Sequence, residues 1–253
     1  MRFCILASGS RGNSVLIESD HARVLVDVGL SARQIALRLQ QIEVDPASIN
    51  AIVLTHDHTD HVRGVGVFAR RYQVPIYAHP ETLDNITYLL RDTETVYPWR
   101  QKFTIRDITF RPFPLSHDSD PTVGYLVMHN QRRLALCTDL GVVTEEVKIH
   151  LQQADAILLE SNHDPDMLLN GPYPWHLKER IASRVGHLSN HNAGEVLNTV
   201  LHAGTEWVVL GHLSEENNTA GLALETVLEY LPSAIHERVM VIEQRRISPV
   251  FQL

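Results

Sequence analysis

The hexapeptide His56–His61, with the sequence HDHTDH, constrains this chain more than any other segment. It places three imidazoles and two carboxylates within six positions, directly after the apolar run Ala51–Leu54. Imidazole nitrogen and carboxylate oxygen are the ligands that divalent zinc, manganese and iron prefer. Burying such a cluster without a ligand would carry a large desolvation cost. The hexapeptide therefore predicts a metal site at the end of a strand.

The spacing inside the hexapeptide predicts two ions. His56 and His58 are two positions apart, so in an extended segment they point the same way and can bind one ion together. Asp60 and His61 follow at the predicted start of a helix, point elsewhere and can bind a second ion. As an alternative, Thr59 or Asp60 only caps that helix. Capping needs one short polar residue and leaves three histidines unexplained.

Two metal sites need more donors than one segment offers, because each ion takes about four to six ligands. Further ligands are expected where other apolar strands end. Three residues follow strand-like apolar runs in this way: His117, Asp139 and His212. Their order after a dense ligand cluster makes them the candidates that complete the two sites.

The pattern His-x-His-x-Asp-His, followed by these three residues, resembles the metallo-β-lactamase fold superfamily, above all its dinuclear hydrolases. The resemblance covers essentially the whole chain. It implies a four-layer αββα sandwich, whereas the apolar periodicity alone indicates only an α/β fold. It also implies a set of roles: His56, His58 and His117 for one ion, Asp60, His61 and His212 for the other, Asp139 as the bridge and Asp27 as a support for a ligand segment.

Three further segments are similar to a narrower group, the YycJ/WalJ proteins, whose members are regarded as DNA exonucleases or related phosphodiesterases. These segments are Leu6–Ser14, Leu159–Asp164 and Gly186–Asn190. The resemblance implies a metal-dependent phosphodiesterase, most specifically a DNA exonuclease, with DNA as substrate and two divalent ions (zinc, manganese or iron) as cofactors.

The expected chemistry starts from a water that bridges two ions and loses a proton near neutral pH, giving a hydroxide nucleophile. Asp60 is the candidate proton acceptor. His187 is the first candidate to protonate the leaving group and His163 the second, although either histidine also suits a structural role in its loop. The turn Ser8–Asn13 suits phosphate binding and a tight hairpin equally well.

Competing functions remain open on these residues. The same hydroxide attacks a carbonyl, so hydrolysis of a lactone, thioester or β-lactam is the main alternative. An apolar pocket with a nearby tyrosine favours that alternative, whereas an open groove with cationic walls favours a nuclease. A flavodiiron oxidoreductase is disfavoured because His58 stands where that group has a glutamate. A metal-retaining protein without turnover is disfavoured because every ligand position is filled.

Composition sets the remaining limits. A chain of 253 residues with 44% hydrophobic content suits one α/β domain spanning residues 1–253. Cys4 and Cys137 lie in apolar runs and are predicted to be buried thiols. No signal peptide and no apolar run of about 18 residues is evident, which predicts a cytoplasmic protein without a membrane segment. The net charge of −8 argues against a non-specific nucleic-acid binder, but two ions would add about +4 locally.

The periodicity also predicts individual elements. It indicates alternating strands and helices at both ends of the chain and strands only between Lys102 and Cys137. Predicted elements include a helix over Val62–Tyr72, a helix over Glu81–Leu90, a connection over Arg91–Arg100 and a final strand over Ile247–Gln252.

Overall fold

Side-chain alternation along the first strand, β1 (Arg2–Ala7), shows how the interior is divided. Phe3 and Ile5 contribute to one hydrophobic core, whereas Cys4 and Leu6 contribute to another. Because successive residues of a strand point to opposite faces, a strand that is apolar on both faces must be covered on both sides. The computed structural model, which describes residues 1–253, places this strand in a central layer.

Two mixed sheets of seven strands each form the middle of the molecule. The first sheet contains β1 together with β2 (Ser14–Glu18), β3 (Arg23–Val26), β4 (Ala51–Val53), β5 (Ile76–Ala78), β6 (Val96–Pro98) and β14 (Phe251–Gln252), in the order β14-β1-β2-β3-β4-β5-β6. The second contains β7 (Phe103–Ile105), β8 (Ile108–Pro114), β9 (Val123–His129), β10 (Arg132–Cys137), β11 (Ala156–Glu160), β12 (Trp207–Gly211) and β13 (Val239–Val241), in the order β13-β12-β11-β10-β9-β8-β7.

Nine α-helices accompany the sheets: α1 (Ala32–Gln41), α2 (Thr59–Val62), α3 (Val65–Tyr72), α4 (Pro80–Asn85), α5 (Glu145–Leu151), α6 (Pro165–Asn170), α7 (Trp175–Ile181), α8 (Asn190–Val200) and α9 (Ala220–Tyr230). Residues of α1 and α3 share a core with the outer face of the first sheet. Residues of α5, α8 and α9 do the same for the second sheet. None of the helices combines the length and the apolar character that crossing a bilayer would require.

A third core lies between the two sheets and joins them, with Phe3, Phe110 and Tyr125 among its large members. The layers therefore run helix, sheet, sheet, helix, which confirms the predicted αββα sandwich. Both cysteines are buried and unpaired, also as predicted.

The direction of the strands determines where the polar loops meet. In the first sheet, β3 and β4 are parallel neighbours, and in the second, β10, β11 and β12 are parallel neighbours. The carboxyl ends of parallel strands lie at one edge of a sheet, and ligand sites of open α/β sheets form beyond that edge. The hexapeptide follows β4, and Asp139 and His212 follow β10 and β12.

Several element boundaries differ from the sequence-based predictions. The helix predicted over Val62–Tyr72 begins earlier, at Thr59, and is split at Gly64, where an added Cβ would lie 2.2 Å from the carbonyl oxygen of Leu30. The helix predicted over Glu81–Leu90 ends at Asn85 and continues only as a 3₁₀ turn.

Two predicted segments at the sheet edges also differ. The connection predicted over Arg91–Arg100 contains β6, an exposed edge strand that tolerates Pro98 because edge positions need not donate to a neighbour. The final strand covers only Phe251–Gln252 of the predicted Ile247–Gln252, because only these two residues pair with β1.

Candidate metal centre

The hexapeptide changes conformation in its middle, and this change separates its ligands. His58 has extended backbone angles (φ −60°, ψ 145°) and precedes α2, so His56 and His58 lie on extended chain, whereas Asp60 and His61 lie in the first helical turn. His58 is the residue before the helix, and its side chain makes no capping hydrogen bond. Neither Thr59 nor Asp60 occupies the cap position, so capping does not explain the segment.

The first ligand group consists of His56, His58 and His117, whose ring nitrogens lie within 4.8 Å of one another. Two of these rings are oriented through Nδ1. The Nδ1 of His56 lies 3.0 Å from the Thr55 hydroxyl, and the Nδ1 of His117 lies 3.1 Å from the carbonyl oxygen of Gly186. Fixing one ring nitrogen in this way leaves Nε2 for a metal, which is how ligating histidines are held in proteins.

The second ligand group consists of Asp60, His61, Asp139 and His212. The two oxygens of Asp139 lie 3.1 Å from His61 Nε2 and 3.1 Å from His212 Nδ1. Asp139 Oδ1 is also 3.8 Å from His117 Nε2, a member of the first group. Asp139 therefore lies where the two groups meet.

Two buried atoms test whether this arrangement suits cations. His56 Nε2 and Asp139 Oδ2 are both buried without a hydrogen-bond partner. Unpaired buried polar atoms are rare because each costs on the order of 1–3 kcal/mol. Both atoms belong to the predicted ligands, and imidazole nitrogen with carboxylate oxygen is a donor set that zinc, manganese and iron accept. The residues fit divalent cations.

Asp27 supports the ligand segment from β3, as the sequence led us to expect. Its carboxylate lies 2.8 Å from His61 Nδ1 and accepts hydrogen bonds from the backbone N–H and the hydroxyl of Thr55, at 2.9 and 2.8 Å. Because Thr55 in turn contacts His56, one buried carboxylate orients both ends of the hexapeptide.

Glu160, at the end of β11, is a site residue that sequence reasoning missed. It is fully buried, and its two oxygens together reach His187 Nδ1 (3.0 Å), Leu188 N (2.8 Å), His212 Nδ1 (3.3 Å) and Asp139 N (2.5 Å). Burial acts to raise the pKa of Glu160, but the contacts with His187 and His212 lower it to about 2. The signal was present in the sequence, because Glu160 ends an apolar strand just as Asp139 follows one.

Electrostatics differ between the two groups. Burial acts to lower the pKa of His61, but the carboxylates of Asp139, Asp27 and Asp60 raise it well above its ordinary value. The pKa of His56 is lowered well below its ordinary value by burial and by the neighbouring His61. The second group is therefore a concentration of negative charge beside a largely neutral group of imidazoles.

The structure separates the two histidines proposed for proton donation. His187 lines the central cavity, and its Nδ1 is held by Glu160. His163 is 4% exposed, does not line that cavity and has its pKa lowered to about 4 by burial. Its backbone carbonyl accepts the N–H of Asn190. The position of His163 is thus that of a histidine packed behind the site.

The turn between β1 and β2 contacts the ligands through Ser8 and Asn13. The Ser8 hydroxyl accepts the backbone N–H of His212 at 2.7 Å. The Asn13 amide nitrogen lies 3.2 Å from Asp60 Oδ2 and 2.9 Å from His61 Nε2, while its oxygen accepts the N–H of Gly9. Ser10 lines the cavity. The turn is a hairpin loop that also positions ligands.

Three site residues adopt left-handed backbone conformations. Asp27, Asp139 and His212 have φ values of 61°, 65° and 53°. Non-glycine residues adopt such angles at a cost of on the order of 1 kcal/mol or more, and they persist where the surrounding contacts impose them. Each of the three follows a strand, and the left-handed turn directs its side chain toward the centre.

A cavity of about 260 Å³ opens above the two ligand groups. Among its walls are His58, Asp60, His117, Asp139, His187 and His212. Its outer wall includes Tyr173, Leu177 and Arg180 from α7 and the preceding loop, and Arg180 is the one lysine or arginine in the lining. The Arg180 guanidinium lies 2.5 Å from Asp118, whose other oxygen lies 3.3 Å from His117 Nε2. The centre is thus open to substrate beside one cationic side chain.

Comparison with known proteins agrees with this geometry. The model of the beta-lactamase superfamily domain matches residues 22–213. The chain belongs to the beta-lactamase superfamily. This membership confirms the family predicted from the ligand pattern and places the chain among metal-dependent hydrolases.

Curated relatives cover almost the entire chain. An exodeoxyribonuclease WalJ from Streptococcus pneumoniae is 38% identical over 239 residues, 92% of this chain and 89% of that protein. An exodeoxyribonuclease YycJ from Bacillus anthracis is also 38% identical, over 91% of this chain and 89% of that protein. The metallo-beta-lactamase fold protein YhfI from Bacillus subtilis superposes with a TM-score of 0.75 at 17% identity, covering 98% of both chains, and confirms the fold.

Proposed function

We propose that this protein is a metal-dependent exodeoxyribonuclease that hydrolyses the phosphodiester bonds of DNA. The observation that carries the proposal is the convergence of seven histidine and aspartate side chains on one open cavity. The 38% identity to proteins named exodeoxyribonucleases, over nine-tenths of the chain, supports DNA as the substrate.

Two divalent cations are the proposed cofactors. His56, His58 and His117 would hold one ion, Asp60, His61 and His212 the other, and Asp139 would contact both. Zinc, manganese and iron all suit this donor set. When bound, such a pair of ions supplies Lewis acidity toward phosphoryl oxygen and lowers the pKa of water at the centre.

Asp60 is the proposed acceptor of the proton that the attacking water loses. It is the most exposed carboxylate of the second group, with its side chain 22% exposed and facing the cavity. Asn13 donates to Asp60 Oδ2, so this oxygen is held in place while the other remains free. A positioned carboxylate of this kind acts as a general base.

His187 is the proposed donor of the proton that the leaving alkoxide needs when the phosphorus–oxygen bond breaks. It faces the cavity, and Glu160 holds its Nδ1, which leaves Nε2 as the atom that delivers the proton. Glu160 is a positioning residue in this account. His163 has no such access, so the proposal assigns the proton transfer to His187.

Arg180 is the proposed first contact for a substrate phosphate. Its side chain is 56% exposed and is paired with Asp118 at the mouth of the cavity. A guanidinium presents donors in a planar fork that matches phosphate. An incoming phosphodiester can exchange with Asp118 at this position.

The carbon-ester alternative receives less support from the cavity. Only three of its fifteen lining residues are hydrophobic, whereas pockets for apolar esters are lined mainly by apolar side chains. Tyr173 is nevertheless part of the wall, so ester hydrolysis belongs in the test.

Purified protein supplied with Mn²⁺ or Zn²⁺ should shorten linear DNA from its ends and leave covalently closed circular DNA intact. Asp139→Ala should abolish this activity, whereas Arg132→Gln, at the far end of β10, should not. Turnover of lactones or thioesters without turnover of any phosphodiester would refute the proposal in favour of ester hydrolysis.

A further inference from the structure

The central cavity does not end at the ligands but continues into two neighbouring depressions. Ser214 lines both the central cavity and a second cavity of about 410 Å³. Arg245 lines both the second cavity and a third, of about 500 Å³, beside α1. The three depressions therefore form a continuous path from the metal centre across the surface to α1.

The outer part of this path is cationic in a chain with a net charge of −8. Its lining includes Arg38, Arg245 and Arg246, opposed by Glu215 and Glu243. A fourth cation, Arg11, pairs with Glu215 at 2.5 Å, so Glu215 is shared between Arg11 and Arg245. Four arginines thus face two carboxylates.

These arginines are available to a ligand to different degrees. The side chains of Arg11, Arg245 and Arg246 are 64%, 75% and 77% exposed. Arg38 is held by the backbone carbonyls of Leu6 and Arg245 and pairs with no carboxylate, so its charge is not neutralised. The path therefore has a fixed cation at its outer end and mobile cations along its side.

Gln244 adds a polar group of a different kind to the second cavity. Its amide nitrogen and oxygen have no hydrogen-bond partner in the protein. An amide offers both a donor and an acceptor, the combination that pairs with the edge of a nucleobase. Phosphate-binding and base-binding groups therefore occur side by side.

We propose that a single DNA strand, with its end at the metal centre, runs past Ser214 and along the surface formed by Arg11, Arg38, Arg245 and Arg246, which we call the arginine groove. The inference rests on the proposed nuclease function and identifies the surface that holds the uncleaved part of the strand. A phosphate backbone requires a row of cations along its course, and the groove supplies one that leads directly from the centre.

The test compares substrates of different length, because a dinucleotide occupies only the centre and a twelve-nucleotide strand also reaches the groove. Arg245→Gln combined with Arg246→Gln should raise the KM for the longer strand about tenfold and reduce the salt dependence of log KM by about two units of slope, one for each lost phosphate contact. The effect on the dinucleotide should be much smaller.

A second variant should act in the opposite direction. Glu215→Gln removes the carboxylate that occupies Arg11 and Arg245, so the KM for the longer strand should fall below that of the wild type. Damage to the fold does not produce tighter binding, so this variant separates recognition from structure. Arg132→Gln is the matched control, because Arg132 also forms an exposed ion pair, with Glu206, but lies at the start of β10, about 20 Å of strand from Asp139.

Equal KM values for the groove variants and Arg132→Gln at every length would overturn the arginine groove while leaving the nuclease function intact. A loss that is as large for the dinucleotide as for the longer strand would also overturn it. Failure of the wild type to degrade any DNA would instead refute the proposed function and the groove together.

Discussion

Replacing Glu160 by glutamine tests the part of the site that the sequence did not reveal. The carboxylate is fully buried and accepts hydrogen bonds only, from His187 and Leu188 at one oxygen and from Asp139 and His212 at the other. Glutamine keeps one oxygen and replaces the other by an NH₂ group. Two of the four donors will then face a donor instead of an acceptor.

The expected loss of stability follows from that count. A hydrogen bond to a charged group contributes about 1.5–3 kcal/mol, so the loss of two predicts a decrease of about 3–6 kcal/mol in the free energy of unfolding. The expected loss of activity follows from His187, because a positioned general acid contributes about 10²- to 10⁴-fold. We therefore expect kcat for DNA to fall at least about 100-fold.

The assay uses two substrates that differ in leaving group. DNA releases an alkoxide that needs a proton, whereas bis(p-nitrophenyl) phosphate releases a stabilised phenolate that does not. If Glu160 acts through His187, Glu160→Gln should slow DNA hydrolysis far more than hydrolysis of the nitrophenyl ester. Urea denaturation followed by circular dichroism provides the stability of the same preparations.

Glu18→Gln is the matched control, because Glu18 is also a buried carboxylate, 4% exposed, and pairs with Arg2 and Arg23 on the first sheet away from the centre. It should lose stability yet keep the kcat of the wild type. The reasoning is refuted if Glu160→Gln and Glu18→Gln show the same kcat, or if Glu160→Gln slows both substrates equally.

Three further predictions concern the cations and the substrate phosphate. Asp27→Asn should weaken metal affinity about 10- to 100-fold in a competition titration, because it disturbs the support of His61; unchanged affinity would argue against that support. Removing metal with a chelator should abolish nuclease activity and lower the melting temperature, with both restored by Mn²⁺, since a ligand that binds only the folded state stabilises it. An unchanged melting temperature would contradict this linkage. Arg180→Gln should raise the KM for DNA about tenfold relative to Arg184→Gln on the neighbouring loop, the size expected for loss of one phosphate contact; equal KM values would remove Arg180 from substrate binding.

The ligands were predictable because each one follows an apolar strand. His56, His117, Asp139 and His212 are far apart in sequence, yet parallel strands with a common direction bring them to one edge. The chemistry of the side chains and the alternation of the strands were both visible in the chain. The four-layer arrangement was not, because apolar periodicity does not tell how two sheets are stacked.

The rest of the site depends on tertiary contacts that no local pattern encodes. The role of Glu160 arises from its position beneath both His187 and His212, which come from different loops. The exclusion of His163 from the cavity depends on the packing of its loop against Ser189. The left-handed angles of Asp139 and His212 would have been improbable predictions for non-glycine residues.

The same limit applies to element boundaries and to the arginine groove. The early start of α2 at Thr59 and the break at Gly64 follow from the close packing of the Gly64 backbone on Leu30. Arg11, Arg38 and Arg245 come from three distant segments, and only the fold places them along one path.

The metal content of the purified protein tests the central claim most directly. Elemental analysis of the wild type and of Asp139→Ala, after saturation with Mn²⁺ or Zn²⁺ and removal of free ions, should give about two ions per chain for the wild type and fewer than one tightly held ion for the variant. A wild-type protein that retains no divalent metal, or an Asp139→Ala variant that retains as much as the wild type, would contradict the account.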